Sequence, residues 1–168
     1  MVGALGAAAA VLLVWSGLAK LKAPVPVADL VTAPLAVRGL GFAEVAIGAW
    51  FLAAGGSGSS AAMAAGYLVF TAVTLRLATS RRSLPCGCFG RSDAPTGVVH
   101  VVVDAVAAGA AVAAVATPPG PLGGFTDVAP TVAAVGLAQV LLLAALAHLL
   151  VTSLPELLAD RARVVARS

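Results

Sequence analysis

The chain has 168 residues, of which 61% are hydrophobic and 10% charged, with a net charge of +3 and a mean hydropathy of +1.06. Soluble domains are about 45–50% apolar and about 25% charged, so an ordinary globular domain is excluded, as is disorder, which requires low hydrophobicity. Two cysteines and the lack of a Gly-X-Y period exclude a disulfide scaffold and collagen. What remains is an all-α polytopic membrane bundle. Its ten Lys and Arg residues are scattered between apolar runs and leave no basic face for nucleic acid.

A membrane helix needs about 20 mainly apolar residues. Five segments qualify: about Val2 to Leu18, Val37 to Ala54, Ala61 to Leu77, Val98 to Ala116 and Val132 to Val151. Residues 1–153 thus read as one transmembrane domain and 154–168 as a basic tail. The first span lacks a positive leading region, and its charges follow the apolar run, so it reads as an uncleaved helix and not as a secretory signal. Ala23-Pro24-Val25-Pro26 and Pro34 interrupt the first loop. The run Gly55 to Ser60 reads as a tight polar turn, and Pro118-Pro119-Gly120-Pro121 ends the fourth span, because proline cannot continue a helix. Small residues let membrane helices approach closely; Gly3 with Ala7 and Ala49 with Ala53 are two such pairs. After Pro155 the tail reads either as a surface helix with Leu154, Leu157 and Leu158 facing lipid, or as a frayed positive end.

The basic residues orient the bundle. Lys20, Lys22 and Arg38 flank the first loop. Arg76, Arg81, Arg82 and Arg91 lie in or beside the third, and Arg161, Arg163 and Arg167 lie in the tail. With five spans all ten fall on one side, which the positive-inside rule makes cytoplasmic. The expectation is a multi-pass plasma-membrane protein with its N-terminus outside and its C-terminus in the cytoplasm.

Both cysteines sit in the third loop, in Leu84-Pro85-Cys86-Gly87-Cys88-Phe89-Gly90-Arg91. The thiolate is the nucleophile and the metal ligand, and neighbouring cations such as Arg81, Arg82 and Arg91 favour it. Gly87 permits the tight backbone that a bond between residues i and i+2 would need. Such a ring would be strained, and strained disulfides tend to be the labile, catalytic ones. Three readings fit: a redox-active dithiol, a soft-metal site for copper or a shared zinc, and an inert turn packed by Phe89 and Gly90. Two thiolates alone do not complete a tetrahedral zinc shell, and neither His100 nor His148 has the usual close spacing.

Cys86-Gly87-Cys88-Phe89-Gly90, placed after a span that ends in arginines, resembles the signature of the methylamine-utilisation MauE family, within a wider DoxX-like group of redox-associated membrane proteins. Ser16-Gly17-Leu18-Ala19-Lys20-Leu21 at the close of the first span and Glu44 in the second fit the same pattern. The likeness covers about residues 1–117. It implies a DoxX-like four-helix core, to which this chain adds a fifth helix, and a role in thiol–disulfide handling through Cys86 and Cys88. It also implies an electron partner, either a thioredoxin-like protein or a quinone, although no quinone site is readable in the spans. The family's namesake is needed to mature a disulfide-rich periplasmic enzyme, methylamine dehydrogenase. Where relatives often carry an Arg-Asn pair early in the fourth span, this chain has His100 and Asp104.

Charges inside a span are costly and usually face the bundle interior. Glu44 and Asp104 each lie about two turns from the cytoplasmic side, and Lys20, Arg76 and His148 sit at cytoplasmic helix ends. The expectation is a polar cluster beneath the cysteines, with Glu44 or Asp104 paired to Arg76 or Lys20. Such a cluster either relays protons during thiol exchange or only fixes helix register, and Lys20 and Arg76 could instead snorkel to the interface. Trp15 and Trp50 read as packing or interface anchors. The charge rule places the cysteine loop where thiols are normally kept reduced, whereas the resemblance points to disulfide chemistry outside. Passage of electrons across the membrane, or a loop that dips into it, would reconcile the two. Two other functions fit the sequence: a non-enzymatic assembly factor with structural cysteines, and a small copper-binding or transport protein.

Overall fold

The computed structural model describes residues 2–27, 30–80 and 96–165. Its helices are α1 (Val2–Lys22), α2 (Pro34–Ala54), α3 (Gly56–Thr79), α4 (Val98–Ala116) and α5 (Pro130–Val165), with a short turn and a single 3-10 turn between α4 and α5. Among the described residues five helices are long and apolar enough to cross a membrane, the last of them over Pro130–Leu154. The chain is therefore an all-α polytopic membrane bundle.

The helices run past the apolar runs that announce them. α1 continues through Lys20 to Lys22, and α2 begins at Pro34, where a proline's missing N–H costs nothing in a first turn. The Gly55–Ser60 run is mostly helix and not a turn. Gly55 at φ +62° and Gly56 at φ +85° turn the path there, conformations open to glycine. Ser59 and Ser60 then bond back to the carbonyls of Gly55 and Gly56, so their hydroxyls are satisfied inside the first turns of α3. The Gly56 N–H donates to the Pro119 carbonyl at 2.9 Å, which ties this junction to the proline-rich segment after α4. At the other end α5 carries its backbone through Pro155 to Val165.

α1 packs chiefly on α2, and α3 on α4; α1 also touches α4, and α2 touches α3, which closes a four-helix core. α5 rests outside it, on α1 and to a lesser extent α4, where Val140 meets Ala7 and Ala8. The core is alanine-rich, with Phe51 and Met63 as its fully buried large side chains among Ala10, Ala111 and Ala114. Lipid gives no hydrophobic drive for helix pairing, so the stabilisation here is close van der Waals contact.

α1 and α2 approach closely; of the two small-residue pairs, Gly3 and Ala7 meet Gly123 in the segment after α4. Ala49 and Ala53 face outward. The seam runs instead through Gly41 and Gly48, seven apart and so on one helical face. A Cβ at Gly41 would lie 2.7 Å from the Gly17 carbonyl oxygen and 2.9 Å from the Lys20 Cβ, and one at Gly48 would lie 2.8 Å from the Ala10 carbonyl oxygen. Residue numbers fall along α1 as they rise along α2, so the pair is antiparallel. Gly41→Ala forces these backbones apart, and the expected cost is about 1–3 kcal/mol. A denaturant titration of the protein in mixed micelles would read it, and unchanged stability would show that the seam is slack.

At the end where α1 stops and α2 starts, the first loop folds back. Val27 packs against Val37 of α2 and Leu77 of α3, with Val31, Leu40 and Val73 around them.

Candidate functional site

Lys20 is two residues from the end of α1, a position from which a lysine ordinarily reaches out to the headgroups. It does the opposite here and is only 1% exposed. The reason is local geometry. Helical side chains tilt toward the N-terminus of their own helix, so Lys20 leans back into the bundle over Ser16, one turn before it. Its Nζ donates to Ser16 Oγ at 2.6 Å. On antiparallel α2 the same tilt aims Glu44 toward the end from which Lys20 descends. Nζ donates to Glu44 Oε2 at 2.9 Å, an ion pair with both side chains buried, Glu44 being 3% exposed. Gly41, one turn before Glu44, leaves the space through which the lysine stem passes.

α3 supplies the next layer. The Phe70 ring lies with its centroid 6.0 Å from the ammonium, at the outer limit of a cation–π contact. Tyr67, one turn earlier, meets Phe70 edge to face and donates its hydroxyl to the Ala9 carbonyl of α1 at 2.6 Å. One turn after Phe70, Thr74 Oγ1 lies 3.1 Å from Asp104 Oδ2 on α4. Asp104 is also within Coulombic reach of the Lys20 ammonium. His100, buried four residues before Asp104 and so on the same face of α4, accepts the Gly97 N–H on Nδ1 at 3.4 Å and helps cap the helix start.

The structure thus brings Lys20, Glu44 and Asp104 to one end of the core. Arg76 does not join them. It lies two residues beyond Thr74, about 200° around the helix, and is exposed on α3. Cys86, Cys88, Phe89 and Gly90 lie outside the described residues, as do Arg81, Arg82 and Arg91. The segment that contains them joins the end of α3 to the start of α4, the end of these helices to which Thr74, His100 and Asp104 belong. His148 stacks on Trp15 with ring centroids 4.9 Å apart, a contact that holds α5 against α1. Trp15 and Trp50 are both half exposed on the outside of the bundle.

Sequence reasoning met Ser16 only within the resemblance, not as a partner of Lys20, and passed over Tyr67 and Thr74. Ser16 stands one turn from a lysine in a span, a spacing that could have marked it as a partner. The threonine and the tyrosine left no comparable signal.

Among the described residues, five apolar helices, four of them forming a core that holds a buried Lys–Glu pair, define a multi-pass membrane protein with an ion pair inside its core. The family model described as methylamine utilisation protein MauE matches residues 1–117, more than half of the chain, and the chain belongs to that family. The matched stretch ends one residue after α4. No curated protein and no solved structure matches the chain.

Proposed function

We propose that this MauE-family protein carries out thiol–disulfide exchange at the membrane through Cys86 and Cys88. The observation that carries the reading is the Cys-Gly-Cys sequence, which holds both cysteines of the chain within the stretch that matches the family. Arg81, Arg82 and Arg91 nearby in sequence favour the thiolate. The exchange partner is a thioredoxin-like dithiol protein. A partner thiolate attacks one sulfur of a Cys86–Cys88 disulfide and displaces the other, giving a mixed disulfide. The second partner thiol then releases Cys86 and Cys88 as thiols. The partner is oxidised by one electron pair, this chain is reduced by the same pair, and two protons move with it. A membrane quinone is the acceptor that would restore the disulfide by taking up those two electrons and two protons. The association with methylamine utilisation follows from the family description.

The protein sits in the plasma membrane with its N-terminus outside. All ten Lys and Arg residues lie on the side of the first and third loops and the tail, and the positive-inside rule makes that side cytoplasmic. An impermeant maleimide applied to intact cells and to inverted vesicles, with and without reductant, tests both points. The expected result is labelling of Cys86 and Cys88 from the cytoplasmic face only, gained on reduction. Labelling from outside, gained on reduction, would reverse the orientation and keep the redox role. Thiols that label fully without reductant under all conditions would remove the redox role.

A further inference from the structure

One face of α1 is left open by the packing. Val11, Trp15, Leu18 and Lys22 recur along it every three or four residues and so form a single stripe. With Leu52 of α2 they line a groove of about 480 Å³. Trp15, Leu18 and Lys22 are exposed, so the groove opens on the outside of the bundle. Ala19 lies between Trp15 and Lys22 on the same face, and its single methyl group leaves the recess there. The Trp15 ring stacks on His148 of α5 with centroids 4.9 Å apart, which fixes one wall.

Two features of the groove identify its occupant. The first is depth. Val11 to Lys22 is a rise of about 16 Å along the helix axis. A hydrocarbon core is about 30 Å thick, so the groove is as deep as one leaflet. Val11 adjoins Leu12, the middle residue of α1, and Lys22 is the last. The groove therefore runs from the centre of the bilayer to one surface, the path of an acyl chain, whereas a partner's membrane helix would need the full thickness. The second feature is charge. Among the described residues Lys22 is the charged member of the lining, and it stands at the surface end. Lys20, two residues earlier, turns inward to Glu44, so the two lysines of α1 divide between core and surface. A lysine lays its aliphatic stem along apolar surface while its ammonium reaches the headgroups. An ammonium at the mouth of an apolar groove is complementary to a phosphate that carries an acyl chain.

We propose that this groove is a binding site for an anionic phospholipid, with one acyl chain along Val11, Trp15 and Leu18 and the phosphate at the Lys22 ammonium. The bound chain is flanked by Leu52 of α2 and by the Trp15 ring that stacks on α5. Affinity comes from apolar contact along the chain, and the choice of headgroup comes from the single charge at the mouth. The assignment does not rest on the cysteine chemistry or on which side of the membrane is cytoplasmic, and it stands or falls separately.

Quenching of Trp15 fluorescence by brominated lipid tests it, on the full chain in phosphatidylcholine vesicles. Trp50→Phe leaves Trp15 as the sole tryptophan. Phosphatidylglycerol and phosphatidylcholine with brominated acyl chains are compared at the same low mole fraction. The expected result is an about fivefold preference for phosphatidylglycerol, the factor expected of one basic side chain at an anionic headgroup. Lys22→Gln should abolish the preference. Arg38→Gln removes an exposed charge of α2 that does not line the groove, and it should keep the preference. Ala19→Phe fills the recess and leaves the charge in place, so it should bring quenching by the two lipids to one level; it decides the matter should Lys22→Gln fail to fold. Equal quenching by the two lipids with Lys22 and Ala19 intact overturns the proposal. A preference that Arg38→Gln reduces as much as Lys22→Gln also overturns it, by showing diffuse attraction to a basic surface. Trp15 shielded from both lipids overturns it as well, by showing a second copy of the chain seated in the groove.

Discussion

Lys20→Met is expected to cost about 3–5 kcal/mol of stability, because it strands Glu44 in the core without its counter-charge. The flexible methionine fills most of the volume, so the loss reports the uncompensated carboxylate and not a cavity. Replacing both partners, as Lys20→Met with Glu44→Met, should recover most of that loss. A well-packed apolar pair in place of a buried ion pair is often neutral or stabilising. A double-mutant cycle read by unfolding in mixed micelles separates the coupling from the two single effects. A Lys20→Met variant as stable as the wild type would mean that the pair carries no weight in holding α1 to α2.

The cysteines should behave in the reverse way, with large effects on chemistry and small effects on stability. Cys86→Ser with Cys88→Ser should reduce exchange with a thioredoxin-like protein to the uncatalysed background and leave the melting of the bundle unchanged. Cys88→Ser alone has no disulfide for a partner thiolate to open, so it should also lose exchange. Given the partner in its disulfide form, its Cys86 thiolate should attack one partner sulfur, displace the other as a thiolate and hold a mixed disulfide that no second cysteine of this chain resolves, visible as a covalent adduct on a non-reducing gel. Both follow from the two-step exchange, which needs one sulfur to attack and another to resolve. A double serine variant that still matures its client protein would instead favour an assembly factor with structural cysteines.

The number of spans was legible because apolar length alone decides whether a helix can cross a bilayer. Their ends were not. Gly55 and Gly56, both at positive φ, turn α2 directly into α3, and the serines that looked like loop residues satisfy themselves by bonding to carbonyls one turn back. Pro34, read as a break, is taken into a helix, and α5 runs on through Pro155. In the site, Lys20 and Glu44 stood out as ionisable residues in apolar runs. Choosing Lys20 over Arg76 as the partner required helix phase. The inward stripe of α3 passes through Ser60, Met63, Tyr67, Thr74 and Leu77, and Arg76 falls off it. Thr74 was hidden because a hydroxyl in a membrane helix usually bonds only to its own backbone. Its reach across to Asp104 is a property of the α3–α4 contact and not of either segment.

The closure of the ion pair between α1 and α2 bears on how the chain enters the bilayer. Lys20 and Glu44 are 24 positions apart, on consecutive antiparallel helices that share a glycine seam. They can therefore meet as soon as the first hairpin has emerged from the translocation machinery, before α3 or α4 is made. Each charge would be expensive to carry into lipid alone, and the hairpin enters as an electrically neutral unit. α3 and α4 form the second such hairpin, and α5 docks last, on the face that α1 and α4 present. The contacts that matter most early are local in sequence, which favours rapid assembly, and the one helix that needs a distant partner arrives when that partner is already in place.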